Sequence, residues 1–280
     1  MNMKDFLKKA KALLPLPPIK PKAYPLLALL LAVLLLSLSL CHQPAPAPSV
    51  DDPLTPLATA AYGPEDFYEQ DGFMRSDTVK TATGVDVSEF QVQIDWPTVR
   101  EAGIEFAIVR TGYRGTTEGR LNPDVSFLHH LEGAQAAGLE VGVYFFSQAI
   151  TPEEAREEAK FVLNQLDGRK LDLPVVFDWE YVGMDARTAH IDSRTLTDCA
   201  IAFCETIRDG GYEPMVYFNL DLSSRLFILE ELQEYGFWLA MYEPPMDFPW
   251  RIDLWQYTES GTVPGIDSPV DLNLRFFTED

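Results

Sequence analysis

The sequence predicts an α/β fold, an irregular TIM-like barrel in which five strand–helix units are closed by a strand-rich end. Three observations lead there. From residue 82 onward, short apolar runs of strand length alternate with helical periodicities and their caps, the rhythm of β/α units. The first five runs are spaced widely enough for a crossover helix after each, whereas the last three follow one another too closely for full helices. Polar groups gather where successive strands should end: Asp86 and Ser88, Arg110, Ser147, Asp178 and Glu180, Tyr217 and Asn219, Tyr242, Gln256 and Tyr257. In β/α barrels that end of the strands builds the active site. Any one of these residues is as readily a turn or cap residue, but so many strands ending alike is harder to dismiss.

Before the barrel come three segments of different character. Residues 1–22 carry six lysines and one aspartate, then Ala23–Cys41 has no charge at all. Ten leucines between Leu26 and Leu40 supply about −5 kcal/mol of insertion free energy, at roughly −0.5 each. The stretch 23–42 is long enough for a bilayer core of roughly 30 Å. The basic flank should stay in the cytoplasm and place the remainder outside the cell. An uncleaved single-pass anchor is therefore expected, with secretion after signal cleavage as the alternative. Cleavage is disfavoured because the one small-x-small site, Ala45-Pro46-Ala47, is followed by Pro48 and the basic region is long. Leu38-Ser39-Leu40-Cys41 is similar to a lipoprotein signal, except that Leu40 stands where a small residue is expected. Residues 43–81 read as a Pro-rich, then acidic linker, extended at Pro44–Pro48 and without periodicity beyond. No internal repeat occurs.

The barrel is expected over residues 82–280. Its first strand is Gly84–Ser88, with a short helix near Trp96–Ala102 after it. Glu105–Thr111 is the second strand, followed by a helix from Asp124 to Ala137, and Glu140–Ser147 is the third. Thr151-Pro152-Glu153-Glu154 starts the next helix with a capping box and a first-turn proline. The fourth strand is 173–181, and a helix over Ser193–Arg208 stops at Gly210-Gly211. Strands at Pro214–Phe218, Phe237–Tyr242, Ile252–Thr258 and Val270–Phe276 complete the set.

Composition narrows the function. The net charge is −21, and residues 82–280 alone hold 14 bases against 35 acids, a balance unsuited to nucleic acid. Of three cysteines, Cys41 lies in the apolar run, while Cys199 and Cys204 are too far round one helix to bridge. No disulfide framework or zinc spacing is present; no cofactor or metal is expected, and the chain is read as a monomer.

The chemistry centres on Leu173-Pro174-Val175-Val176-Phe177-Asp178-Trp179-Glu180-Tyr181. Along a strand, Asp178 and Glu180 project to one side and Trp179 to the other. Two carboxyls that close in a partly apolar pocket push one pKa upward. An acid that keeps its proton beside an ionised partner is what glycosidic cleavage requires. Alone, such a pair is more often two surface acids at a strand end.

Residues 82 to 277 resemble the family-25 glycoside hydrolases, the bacterial lysozymes (N-acetylmuramidases). The resemblance is carried, in order, by Gly84–Gln91, Val109–Tyr113, Ala137–Tyr144, Phe177-Asp178-Trp179-Glu180, Phe237–Ala240, Trp255-Gln256-Tyr257, Val263–Asp267 and Val270–Asn273. It implies a (β/α)5β3 barrel and hydrolysis of the β-1,4 bond from N-acetylmuramic acid to N-acetylglucosamine in peptidoglycan glycan strands. It also implies Glu180 as general acid, Asp178 as its partner, and Asp86 and Asp271 as further acids of the cleft. Arg110, Tyr144, Tyr217, Trp238, Tyr242, Trp255 and Gln256 are expected at the substrate, although for each aromatic core packing is about as common. Where many members carry a histidine after the third-strand tyrosine, this chain has Phe145-Phe146; His129, His130 and His190 are expected to take no part. Two alternatives stand beside this reading: a chitinase-like glycosidase, disfavoured by Val176 where a third acid is expected, and an inactive membrane-tethered glycan-binding module.

Overall fold

The computed structural model of the chain describes residues 54–242 and 246–277. The basic segment, the expected anchor at 23–42 and the linker up to residue 53 lie outside them. Among the described residues no helix is long and apolar enough to cross a membrane.

In chain order, β1 (Tyr68–Gln70) and β2 (Phe73–Arg75) form a small antiparallel hairpin. Five strand–helix units follow: β3 (Thr81–Val87) and α1 (Trp96–Glu101); β4 (Phe106–Arg114), its short antiparallel neighbour β5 (Leu121–Pro123) and α2 (Phe127–Ala136); β6 (Glu140–Ser147) and α3 (Pro152–Leu166); β7 (Val175–Trp179) and α4 (Ser193–Asp209); β8 (Pro214–Asn219) and α5 (Leu220–Arg225). Then come β9 (Phe237–Ala240), β10 (Leu254–Gly261) and β11 (Val270–Phe276). Strands β3 through β10, β5 apart, are parallel, and β11 runs against both β10 and β3 to close an eight-stranded ring. All eight expected strands are present, and among the described residues no helix follows β9, as expected from the close spacing of the last three strands.

Both faces of these strands are buried, which is why they read as near-continuous apolar runs. Ala82, Phe106, Ile108, Val176, Met215, Trp238 and Leu254 fill the barrel interior, while Val85, Val87, Val175, Phe177 and Phe218 belong to the shell outside it. Gly84 faces inward, where a Cβ would overlap the Phe106 ring. Interior positions change from apolar to polar only at the end of the ring where the parallel strands finish, and that change creates the site.

Local signals explain the helices. Thr151 Oγ1 accepts the Glu154 N–H at 3.3 Å, but Glu154 returns its carboxylate to Ile150 N at 3.0 Å, one residue upstream of a standard capping box. Asp192 caps α4 through Thr195 N at 3.0 Å. The second helix begins at Phe127, three residues later than Asp124, because Asp124 is occupied with Arg110 and the Glu89 and Ser126 N–H groups.

The linker needs correction. Residues 54–81 are not an extended tether but a strap bound to the barrel. Arg251 N donates to Ala58 O at 2.7 Å and Ala60 N to Pro249 O at 2.9 Å. The Tyr62 ring stacks on Phe276 with centroids 4.6 Å apart, Phe67 meets Trp255 edge-on at 5.5 Å, and Phe73 is buried. The physical cause is the strand-rich end of the barrel. With no full helices after β9, the outward faces of β10 and β11 expose Trp255 and Phe276, and the strap covers them.

Candidate active site

The mouth of the ring holds a cleft of about 390 Å³. Asp86, Arg110, Tyr144, Asp178, Glu180, Tyr217, Trp238, Tyr242, Gln256 and Asp271 line it, with Glu259 at its edge. Of the residues expected as cleft acids or substrate contacts, all are there except Trp255; of the other polar groups expected at the strand ends, Ser147, Asn219 and Tyr257 do not line the cleft.

Trp255 is the correction. It follows Leu254 and precedes Gln256 on β10; alternation turns Gln256 into the barrel and Trp255 out of it. Its Nε1 donates to Met241 O at 2.8 Å, and its ring packs against Phe67 and Tyr257. Trp255 is therefore the strap's docking partner and takes no part in the cleft. Ser147 also faces outward, donating to Glu158 Oε2 at 2.6 Å, and Asn219 caps α5.

One acid pair is built across two strands. Asp86 on β3 and Asp271 on β11 are direct antiparallel partners. Asp86 Oδ2 accepts from Asn273 Nδ2 at 2.8 Å and from Gln256 Nε2 at 2.9 Å; Gln256 Nε2 also lies 3.3 Å from Asp271 Oδ2. Gln256 Oε1 in turn accepts the hydroxyls of Tyr217 at 3.0 Å and Tyr242 at 2.9 Å. The amide is thus oriented without ambiguity, its NH₂ toward carboxylates and its oxygen toward hydroxyls. Burial raises the Asp86 pKa, and the Asn273 and Gln256 amides pull it partly back. Burial, then the charge of Asp86, pushes Asp271 up to about 9. Two carboxyls this close titrate as a unit, and at neutral pH the pair holds a proton.

The other pair comes from one strand. Asp178 is the penultimate residue of β7, inward-facing and 5% exposed, and its Oδ1 is buried with no hydrogen-bond partner among the described residues. Burial, then the charge of Glu180, lifts its pKa well above the carboxylate range. Glu180 lies one residue past the end of β7 and is half-buried. Burial, followed by Asp86 and Glu259, raises its pKa too. Four carboxyls in one cleft cannot all ionise, and Glu180 is the more open member of its pair.

The floor is aromatic. Trp238 Nε1 donates to Asn273 Oδ1 at 2.8 Å, with Tyr217 and Tyr144 set edge-on to its ring at 4.9 and 6.2 Å. At one rim Arg110 is held by Asp124 at 2.7 Å and Glu89 at 2.9 Å, and Phe90, 71% exposed, lies over its guanidinium. His129 and His130 sit on α2, with His130 buried against Trp96. Sequence reasoning missed Asn273, Asp124 and Glu259 as parts of the site. Asn273 was within reach, because it lies two residues from Asp271 and so on the same face. Asp124 and Glu259 carry no such signal.

An acid-lined groove with an aromatic floor at the mouth of a β/α barrel defines a sugar-cleaving enzyme by class. Residues 85–266 match the profile of the family described as Glycosyl hydrolases family 25, and the chain belongs to that family: it is a glycoside hydrolase. It is 30% identical over 209 residues to YegX of Escherichia coli K12, covering 69% of each chain. It is 26% identical over 198 residues to the Autolytic lysozyme of Clostridium acetobutylicum, covering 68% of this chain and 54% of that one. The modular autolysin LytC of Streptococcus pneumoniae, solved with a synthetic peptidoglycan ligand, superposes with a TM-score of 0.62 at 24% identity. That match covers 74% of this chain but only 51% of LytC, and it shows the fold.

Proposed function

We propose that the protein is a peptidoglycan hydrolase of the muramidase type, cleaving the β-1,4 bond between N-acetylmuramic acid and N-acetylglucosamine. The observation that carries the reading is the convergence of four carboxyl side chains from β3, the end of β7 and β11 on one aromatic-floored cleft, with half-buried Glu180 more open than its buried neighbour Asp178. Glu180 protonates the leaving glycosidic oxygen. Asp178, Asp86 and Asp271 surround the site where positive charge develops on the sugar, and Asp86 is the member best equipped with donors to remain an anion. Arg110, Tyr144, Tyr217, Trp238, Tyr242 and Gln256 shape the groove for the glycan. Lysozymes among the relatives support this substrate.

The apolar run at 23–42, flanked by lysines on its N-terminal side, supports a single-pass membrane anchor with the barrel outside a bacterial cell, acting as a monomer on the wall. The test of the chemistry is digestion of purified peptidoglycan by residues 54–280, followed by identification of the new reducing ends. Muramic acid is expected there. N-acetylglucosamine would overturn the bond assignment. For the anchor, a mature N-terminus near Ser49 would show that the apolar run is clipped off.

A further inference from the structure

Glu180 lies one residue beyond β7, so its backbone carbonyl has no place in the ladder with β6. A side chain takes that place. Gln148, the residue after β6, is fully buried, and its Nε2 donates to Glu180 O at 2.8 Å and to Ser147 O at 2.8 Å. Its Oε1 accepts the hydroxyl of buried Thr188 at 2.9 Å. All three hydrogen-bonding positions used here lie away from bulk water, so the amide cannot exchange them for solvent.

The backbone that carries Gln148 is held as well, at its own carbonyl. Arg187 donates to Gln148 O at 2.9 Å and makes two bonds, 2.6 and 2.8 Å, to the Glu154 carboxylate on α3. The loop that follows Glu180 is thereby folded back and tied to the end of β6.

We propose that Gln148 is a positioning residue for the proton donor. It substitutes for the missing strand pairing at Glu180 and, through Thr188, locks the loop that leaves it. The proposal rests on the role of Glu180 given above. Without the amide, the Glu180 backbone is free to move toward solvent; its carboxyl then leaves both the bond to be cleaved and the apolar surroundings that help it keep its proton. Misplacement of a reacting group by about 1 Å costs on the order of a hundredfold in rate.

The test uses residues 54–280 with soluble peptidoglycan fragments, following kcat, KM and the pH profile for wild type, Glu180→Gln, Gln148→Met, Thr188→Val and Thr188→Ser. Gln148→Met keeps the length of the side chain and removes its donors. It should lower kcat roughly tenfold or more, leave KM little changed, and move the alkaline limb of the profile to lower pH. Thr188→Val should do the same to a smaller extent and keeps the inference testable if Gln148→Met does not fold; Thr188→Ser should restore wild-type behaviour. If Glu180→Gln abolishes turnover while a folded Gln148→Met or Thr188→Val enzyme retains the wild-type kcat and pH profile, the positioning role is wrong and the proton donor stands. If Glu180→Gln itself retains the rate, the assignment of the donor has failed.

Discussion

The two acid pairs in the cleft are chemically alike and structurally opposite. Asp86 and Asp271 come from adjacent antiparallel strands at the strap-covered side of the ring, and two amides donate to Asp86 Oδ2. Asp178 and Glu180 come from the end of one helix-backed strand, and among the described residues Asp178 Oδ1 has no hydrogen-bond partner. The comparison teaches that side-chain type does not assign chemical work; the donors around each carboxyl do. Amide hydrogens pull a buried carboxyl's pKa partly back toward the ordinary range, whereas a buried carboxyl given none is pushed well above it.

The sharpest way to break the comparison is Glu180→Gln. It should lower kcat by about 10²–10⁴-fold, the range for removal of a general acid, with the thermal midpoint nearly unchanged. An undiminished rate would mean that the two pairs do not differ as described. Next is the pH dependence of stability. Asp271 is shifted from 3.8 to about 9 in the folded protein, so the native state holds this proton more tightly than the unfolded chain. Its contribution is full below about pH 4 and is lost as pH rises toward 9. Thermal midpoints should fall across that interval, and Asp271→Asn should make the fall shallower; an unaltered slope would refute the shared proton. Phe67→Ala addresses the strap side of the ring. It should cost about 2 kcal/mol in urea unfolding, less than for a fully buried ring, and leave kcat intact. The smallest effect is expected from Trp255→Phe, which should spare both kcat and KM, while Trp238→Phe, by removing the donor to Asn273, should not.

Much of the barrel was legible because its strands are buried on both faces and its helices carry their own caps. Leu173–Phe177 reads as a buried strand, an apolar run of strand length opened by a proline, and the shared face of Asp178 and Glu180 follows from its two-residue period. The same period bore on Trp255. Consecutive residues cannot share a face, so Trp255 and Gln256 could not both reach the cleft, and the polar one did. The strap left no trace of this kind. Tyr62, Phe67 and Phe73 fit neither strand nor helix spacing, because what orders them lies far along the chain: Tyr62 and Phe67 meet edge-on at 5.7 Å and both pack against Phe276 on the last strand. Asp124 was read as a helix start, since nothing local announces a partner on β4 fourteen residues earlier.

Shared chemistry and independent folding have different borders in this chain. The family profile ends at residue 266, whereas β11, which brings Asp271 and joins β10 to β3, begins at Val270. A fragment trimmed to the matched span would be left with two raw strand edges and an uncovered Trp255, a template for self-association. For recombinant production, residue 54 rather than residue 82 is the place to begin, and the final strand must be kept.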